Sequence, residues 1–177
     1  MRILLAITGA SGLLYGTRLL EVLRASGHEV SLVISSGAKE VAKAEGAKLL
    51  KPDYGEYDFN CPYASGSNPP DAVVVAPCSL KSLGEIANGV GNSLINRAAE
   101  VALKERKKLI LVVRDTPYSL ITIRNMETVT LAGGVILPAT PGFYGRPKKV
   151  DDLIDFVVAR VLDQLGVKHA LSKRWKE

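Results

Sequence analysis

Five short apolar runs, Ile3–Ile7, Val30–Ile34, Ala72–Ala76, Leu109–Val113 and Val135–Leu137, recur along the chain with stretches of helical character between them. They are rich in Val, Ile and Leu and do not alternate with polar residues, which is the pattern of parallel strands covered by helices on both faces. The alternation therefore predicts βαβ units and an open α/β sheet. Residues 12–26, 37–45, 79–87, 92–105 and 116–131 carry few strong breakers and are expected to be helical. The last helix is the clearest: Val150, Leu153, Ile154, Val157, Val158, Val161, Leu162 and Leu165 fall on one apolar stripe at helical spacing. Irregular stretches at 46–70 and 138–149 adjoin strand ends, where the ligand loops of such sheets cluster.

Size and composition narrow the function classes. A chain of 177 residues suits one domain over 1–177, with a tail from about 166, and 47% hydrophobic with 23% charged residues excludes disorder, collagen-like repeats and a coiled coil. No apolar run approaches a membrane span of about 20 residues, so a cytoplasmic protein without a membrane partner is expected. Two cysteines and two histidines make neither a disulfide framework nor a metal cluster, and no metal is expected. The net charge of +5 suits either nucleic acid or phosphorylated small molecules. A mean hydropathy of +0.14 is high for a chain of this length, and a buried subunit interface would accommodate the surplus.

Position decides between the two readings of charge. Thr8-Gly9-Ala10-Ser11-Gly12-Leu13-Leu14-Tyr15-Gly16 stands between the first strand and the first helix. Glycines there let a phosphate approach the backbone at a helix N-terminus, although a tight βα turn needs glycine whatever binds. A dinucleotide site places an acid, or an arginine for a 2′-phosphate, after the second strand. This chain has Ser35-Ser36-Gly37, which better suits another phosphate or a mononucleotide. Pro77-Cys78-Ser79-Leu80-Lys81-Ser82-Leu83 again offers hydroxyls and N–H groups at a helix start, as an anion site or as plain N-capping by Ser79. Val113-Arg114-Asp115-Thr116-Pro117 puts a guanidinium at the C-terminal end of a strand, for a ligand or for a structural ion pair.

Three other patterns read as structure. Asp151-Asp152-Leu153-Ile154-Asp155 matches the form of a magnesium-diphosphate motif, but acids in the first turn of a helix complement its dipole. Tyr144 and Lys148 have the spacing of a short-chain dehydrogenase pair, which Pro147 takes off any common helix face. Lys104-Glu105-Arg106-Lys107-Lys108 reads as a solvated helix end rather than a nucleic-acid patch.

In sequence order these motifs resemble those of the UbiX-type flavin prenyltransferases, within the wider group of FMN-binding proteins that includes the cysteine decarboxylases. The resemblance runs from Ile3 to Leu165 and rests on TGASGxxYG at 8–16, ASGS at 64–67, PCSLKSL at 77–83, NRAAEVALKER at 96–106, RDTP at 114–117, NM at 125–126 and ILPATPGFY at 136–144. It implies a Rossmann-like or flavodoxin-like single domain that assembles as a homo-oligomer, typically a dodecamer. It further implies transfer of a dimethylallyl group from dimethylallyl phosphate to N5 and C6 of reduced FMN, giving prenylated FMN for UbiD-type decarboxylases.

By the same resemblance, Gly9, Ala10, Ser11, Ser35, Ser79, Leu80, Lys81, Ser82 and Arg114 fall on FMN-binding positions. Lys104, Tyr144 and Arg160 fall on positions that bind the prenyl phosphate, and Glu45, Ser11, Arg97 and Asp115 on catalytic ones. Asp115 departs from the usual Glu and is one methylene shorter; Phe59 and Trp175 stand where relatives carry aromatics. These residue types suit the chemistry: departing phosphate needs cations, aromatic faces stabilise an allylic cation, and Glu45 with Ser11 as relay is the candidate base for the proton lost at C6. The rivals are a cysteine decarboxylase of the same fold, for which neither His28 nor His169 looks well placed, and a flavin carrier, which needs no second phosphate site.

Overall fold

The computed structural model describes residues 1–176, so Glu177, at the end of the expected tail, lies outside the described residues. The elements follow the expected alternation: β1 (Arg2–Ile7), α1 (Leu14–Ala25), β2 (Glu29–Ile34), α2 (Ser36–Glu45), a single 3-10 turn (Pro62–Ala64), β3 (Ala72–Cys78), α3 (Leu80–Ala87), α4 (Leu94–Lys104), β4 (Lys108–Val113), α5 (Leu120–Leu131), β5 (Val135–Ile136) and α6 (Val150–Leu165). The one sizeable shift from expectation is α5. It begins at Leu120 rather than 116, because Pro117 cannot continue a helix and Ser119 takes the cap.

All five strands are parallel, in the order β2-β1-β3-β4-β5. Alternate strand residues feed two separate cores. Ile3, Leu5 and Ile7 of β1 join Leu19, Leu20 and Leu23 of α1 and Val157, Val161 and Leu162 of α6. Leu4 and Ala6 join Leu83 of α3, Ile95, Ala98 and Ala102 of α4 and Val129 of α5. The continuous apolar runs are explained by this two-sided burial, and the all-parallel sheet follows.

Four of the helices start the same way. The side chains of Ser35, Ser79, Ser93 and Ser119 accept hydrogen bonds from the backbone N–H groups of Ala38, Ser82, Asn96 and Thr122. Each such cap stabilises its helix by about 1 kcal/mol and leaves the other first-turn N–H groups without helical partners. Chain order reverses direction at β1, whose neighbours are β2 on one side and β3 on the other. A crevice at the C-terminal ends of β1 and β3 is the place where open α/β sheets bind ligands.

Candidate active site

The loops after β1 and β3 are tied together before any ligand is considered. β3 has a bulge between Val75 and Cys78, and the carbonyl of Pro77 there accepts from both the Thr8 N–H (3.2 Å) and the Thr8 hydroxyl (2.8 Å). The Thr8 hydroxyl in turn accepts from Ser79 N–H at 2.9 Å. Thr8 is thereby fully buried, and Gly9 and Ser79 are fixed side by side at the switch point.

Around them lies a cavity of about 310 Å³ lined by Gly9, Ser35, Ser36, Gly37, Ser79, Leu80, Lys81, Ser82 and Asp115. Ser79 does cap α3, as the plain reading had it, and its hydroxyl also donates to Ser82 Oγ at 3.1 Å. Of the residues assigned to FMN, Gly9, Ser35 and Ser79 to Ser82 thus share one wall, while Ala10, Ser11 and Arg114 lie outside this lining. Three further wall residues were given no role from the sequence: Glu56, which accepts from Ser36 N–H (2.7 Å), Glu85, and Asn96, the first residue of the 96–106 motif, whose amide donates to Glu85 (2.9 Å). They come from the 46–70 stretch, α3 and α4, so only the folded chain brings them to the cavity.

Ser11, Glu45 and Arg114 form a second group at the same edge. Glu45, at the last turn of α2, accepts from Gly12 N–H at 2.9 Å. Burial alone would raise its pKa. Hydrogen bonds from the Ser11 hydroxyl and the Gly12 and Leu13 N–H groups, and the nearby Arg114 charge, outweigh that and hold it below 4.5. The carboxylate is therefore ionised at neutral pH, the state a proton acceptor needs. Arg114 makes no ion pair within 4.0 Å among the described residues, so the structural reading of that arginine fails. Asp115 accepts from Thr116 N–H at 2.7 Å, and its short side chain stays at the cavity rim.

Tyr144 and Arg160 meet in a third place, a pocket of about 140 Å³ between the 138–149 loop, α6 and the tail. Tyr144 packs edge-on against Phe156 (5.7 Å between ring centres) and Trp175 (5.2 Å). His169 lines this pocket and not the cavity bounded by Gly9, Ser35 and Ser79. The tail folds back along α6, a path that no local pattern records.

Lys104 and Arg97 stand apart from Tyr144 and Arg160. Arg97 donates to the carbonyl of Ala64 (3.0 Å) and to Glu100 (2.9 Å), and Lys104 pairs with Glu105. Lys104 ends α4, at the edge where β4 begins and opposite the strand ends that carry Ser11 and Arg114. Phe59 is half-exposed on the 46–70 stretch. The decoys resolve as structure: Asp152 accepts from Lys148 and Lys149 N–H to cap α6, and Tyr144 and Lys148 lie in a loop.

An all-parallel sheet with glycine and capped-serine loops at its switch point is the architecture of nucleotide-binding α/β proteins, and a family profile described as Flavoprotein matches residues 1–162. The flavin prenyltransferase UbiX of Methanocaldococcus jannaschii is 50% identical, covering 99% of this chain and 98% of that protein. A crystal structure of AnUbiX in complex with FMN and dimethylallyl pyrophosphate is 39% identical with a TM-score of 0.94, covering 99% of this chain and 97% of that one. A dodecameric FMN-dependent UbiX-like decarboxylase from Escherichia coli O157:H7 is 38% identical with a TM-score of 0.94 over the full length of both chains. The chain belongs to the UbiX flavin prenyltransferase family.

Proposed function

We propose that the protein transfers a dimethylallyl group from dimethylallyl phosphate to reduced FMN. The allylic C–O bond breaks and phosphate leaves; the allylic carbon bonds to N5 in place of its proton, the alkene π bond opens as one carbon takes up a proton and the other bonds to C6, the C6 proton is lost, and the one net proton released leaves with the phosphate. The prenylated FMN released serves UbiD-type decarboxylases. The observation that supports this reading is a pair of separate pockets on one chain whose linings suit anions, the serine and glycine cavity at the switch point and the Tyr144–Arg160 pocket. A flavin carrier needs only the first.

The residues fit FMN: the cavity is lined by hydroxyls and by the first turns of α2 and α3, whose N–H groups and dipoles favour a phosphate. Gly9, Ala10, Ser11, Ser35, Ser79 to Ser82 and Arg114 would hold it, and reduced flavin when bound supplies the nucleophilic N5 and C6. Arg160 and Tyr144 bind the donor phosphate and stabilise its departure. Glu45, with Ser11, receives the proton. Among the described residues no group of three His, Cys, Asp or Glu is disposed to hold a metal. A monophosphate leaving group is offset by fixed cations instead.

Assembly completes the site. Lys104 and Arg97 reach the Tyr144–Arg160 pocket from a neighbouring copy, in a homo-oligomer of dodecameric type like the E. coli relative. Support comes from α5, which exposes Leu120 (62%), Ile121 (73%) and Leu131 (82%), apolar side chains that a neighbouring copy would cover. No helix among the described residues is long and apolar enough to cross a membrane, and the proposed setting is the cytoplasm.

Mass analysis of flavin after incubation with reduced FMN and dimethylallyl phosphate tests the reading. Gain of one five-carbon unit is expected, and an unchanged flavin mass rejects it.

A further inference from the structure

Asp163 was singled out by no motif, yet three cationic or N–H donors converge on its carboxylate. Arg160 NH1 donates to Oδ2 at 2.7 Å, while His169 Nε2 (3.1 Å) and Arg174 NH2 (3.1 Å) share Oδ1. Arg160 and Asp163 stand three residues apart on α6, whereas His169 and Arg174 belong to the tail beyond Gly166, the left-handed C-cap that turns the chain back. One carboxylate therefore joins the helix cation of the donor pocket to the segment that carries Trp175.

The geometry is that of a built latch and not of a chance surface pair. The His169 side chain is only 4% exposed and that of Asp163 21%. The ring is satisfied at both ends, because Nδ1 accepts from Leu171 N–H (3.4 Å) while Nε2–H donates to Asp163, an arrangement the neutral tautomer supplies. Arg160 spends one guanidinium N–H on Asp163 and keeps its others for a ligand, with half of its side chain exposed. Burial alone would raise the Asp163 pKa, but the hydrogen bonds from His169 and Arg174 more than offset it, so the carboxylate stays charged at neutral pH. Arg160, Lys173 and Arg174 face this single acid, which leaves the pocket net positive by two charges and suited to a phosphate dianion.

We propose that Asp163 is a positioning residue for prenyl transfer: with His169 it clamps the tail onto α6, aims Arg160 into the donor pocket and holds Trp175 against Tyr144. The proposal rests on the prenyltransferase reading for its kinetic consequence and on geometry alone for its structural one.

Two readouts on the full-length protein keep these apart. The chain has a single tryptophan, so its fluorescence reports the tail alone. Asp163→Asn should raise acrylamide quenching of Trp175 about twofold and raise the KM for dimethylallyl phosphate roughly ten- to hundredfold, the range for losing a hydrogen bond to a charged group. FMN affinity should stay within about twofold and kcat should fall much less than kcat/KM, as for a lost binding contact. Asp163→Glu should recover most of the KM. If Asp163→Asn does not fold, His169→Phe carries the same test. Unchanged Trp175 quenching and donor KM in a variant that folds and binds FMN would overturn the latch. Absence of product from the unmodified protein would instead reject the prenyltransferase reading, and the quenching comparison would still decide the latch.

Discussion

Gly9 lies against Gly37 so closely that a β-carbon on Gly9 would stand 2.9 Å from the carbonyl carbon of Gly37. Two loops from different strands are brought together there, and both line the cavity assigned to FMN phosphate. Backbone on both sides leaves nothing that can swing away. Gly9→Ala should therefore cost about 1–3 kcal/mol of stability and weaken FMN binding, read by urea unfolding and flavin fluorescence titration. An alanine variant with unaltered stability and affinity would show the approach to be dispensable.

Glu45 offers a prediction with a definite sign in pH. Its folded pKa lies below 4.5, so its contribution to stability is present above the unfolded value and is lost as pH falls through the lower folded value. Glu45→Gln should lower stability at neutral pH, where the ionised carboxylate contributes, and flatten the acid side of the stability profile, where that contribution is already being lost. Around neutral pH the same variant should form cyclised product roughly a hundredfold more slowly while binding FMN normally, since base catalysis contributes about that much. Normal cyclisation by the variant would remove Glu45 from the proton transfer.

Both thiols should be inert in the folded protein. Cys78 is wholly buried and its pKa is pushed up to about 12 by burial; Cys61 is buried and raised for the same first reason, with a backbone hydrogen bond opposing. Thiolate is the reactive form. A thiol reagent at mildly alkaline pH should label neither residue in native protein and both in denaturant. Rapid native labelling of Cys78 would contradict the packing between β3 and α3.

The exposed apolar face of α5 gives a test of assembly. Ile121 and Leu131 are 73% and 82% exposed on one chain, and a charge at either should oppose burial against a neighbour. Ile121→Glu or Leu131→Glu should shift gel filtration from a multiple of 19.0 kDa toward smaller species without unfolding the monomer. Donor turnover should fall with assembly if Lys104 and Arg97 act across an interface. Full activity in a monomeric variant would place the whole donor site within one chain.

How much was legible before folding differs between the two anion sites. The cavity assigned to FMN was readable because most of that wall consists of local features placed by strand ends: glycine after β1 and the serines capping α2 and α3. Strand ends of a parallel sheet converge, so local motifs suffice to assemble the wall. Glu56, Glu85 and Asn96 escaped because they arrive from a long irregular stretch and from the sides of helices, where burial and side-chain direction decide. Tyr144 and Arg160 of the second pocket were legible only through the resemblance, while Asp163, His169 and Arg174 were not, because the tail that carries two of them reaches α6 only in the folded chain.

The sequence by itself determined the sheet, its parallel sense and the ring of ligand loops, since uninterrupted Val, Ile and Leu runs are stable only when helices cover both faces. Tertiary structure alone decided how Lys104 stands relative to Tyr144 and Arg160. α4 runs opposite to the strands, so its last turn points to the far edge, while the tail turns at Gly166 and folds back to bring Trp175 onto Tyr144. Spacing along a chain fixes which residues share a helix face. The direction of the helix and the path of the tail depend on packing between segments distant in sequence, which no local pattern records.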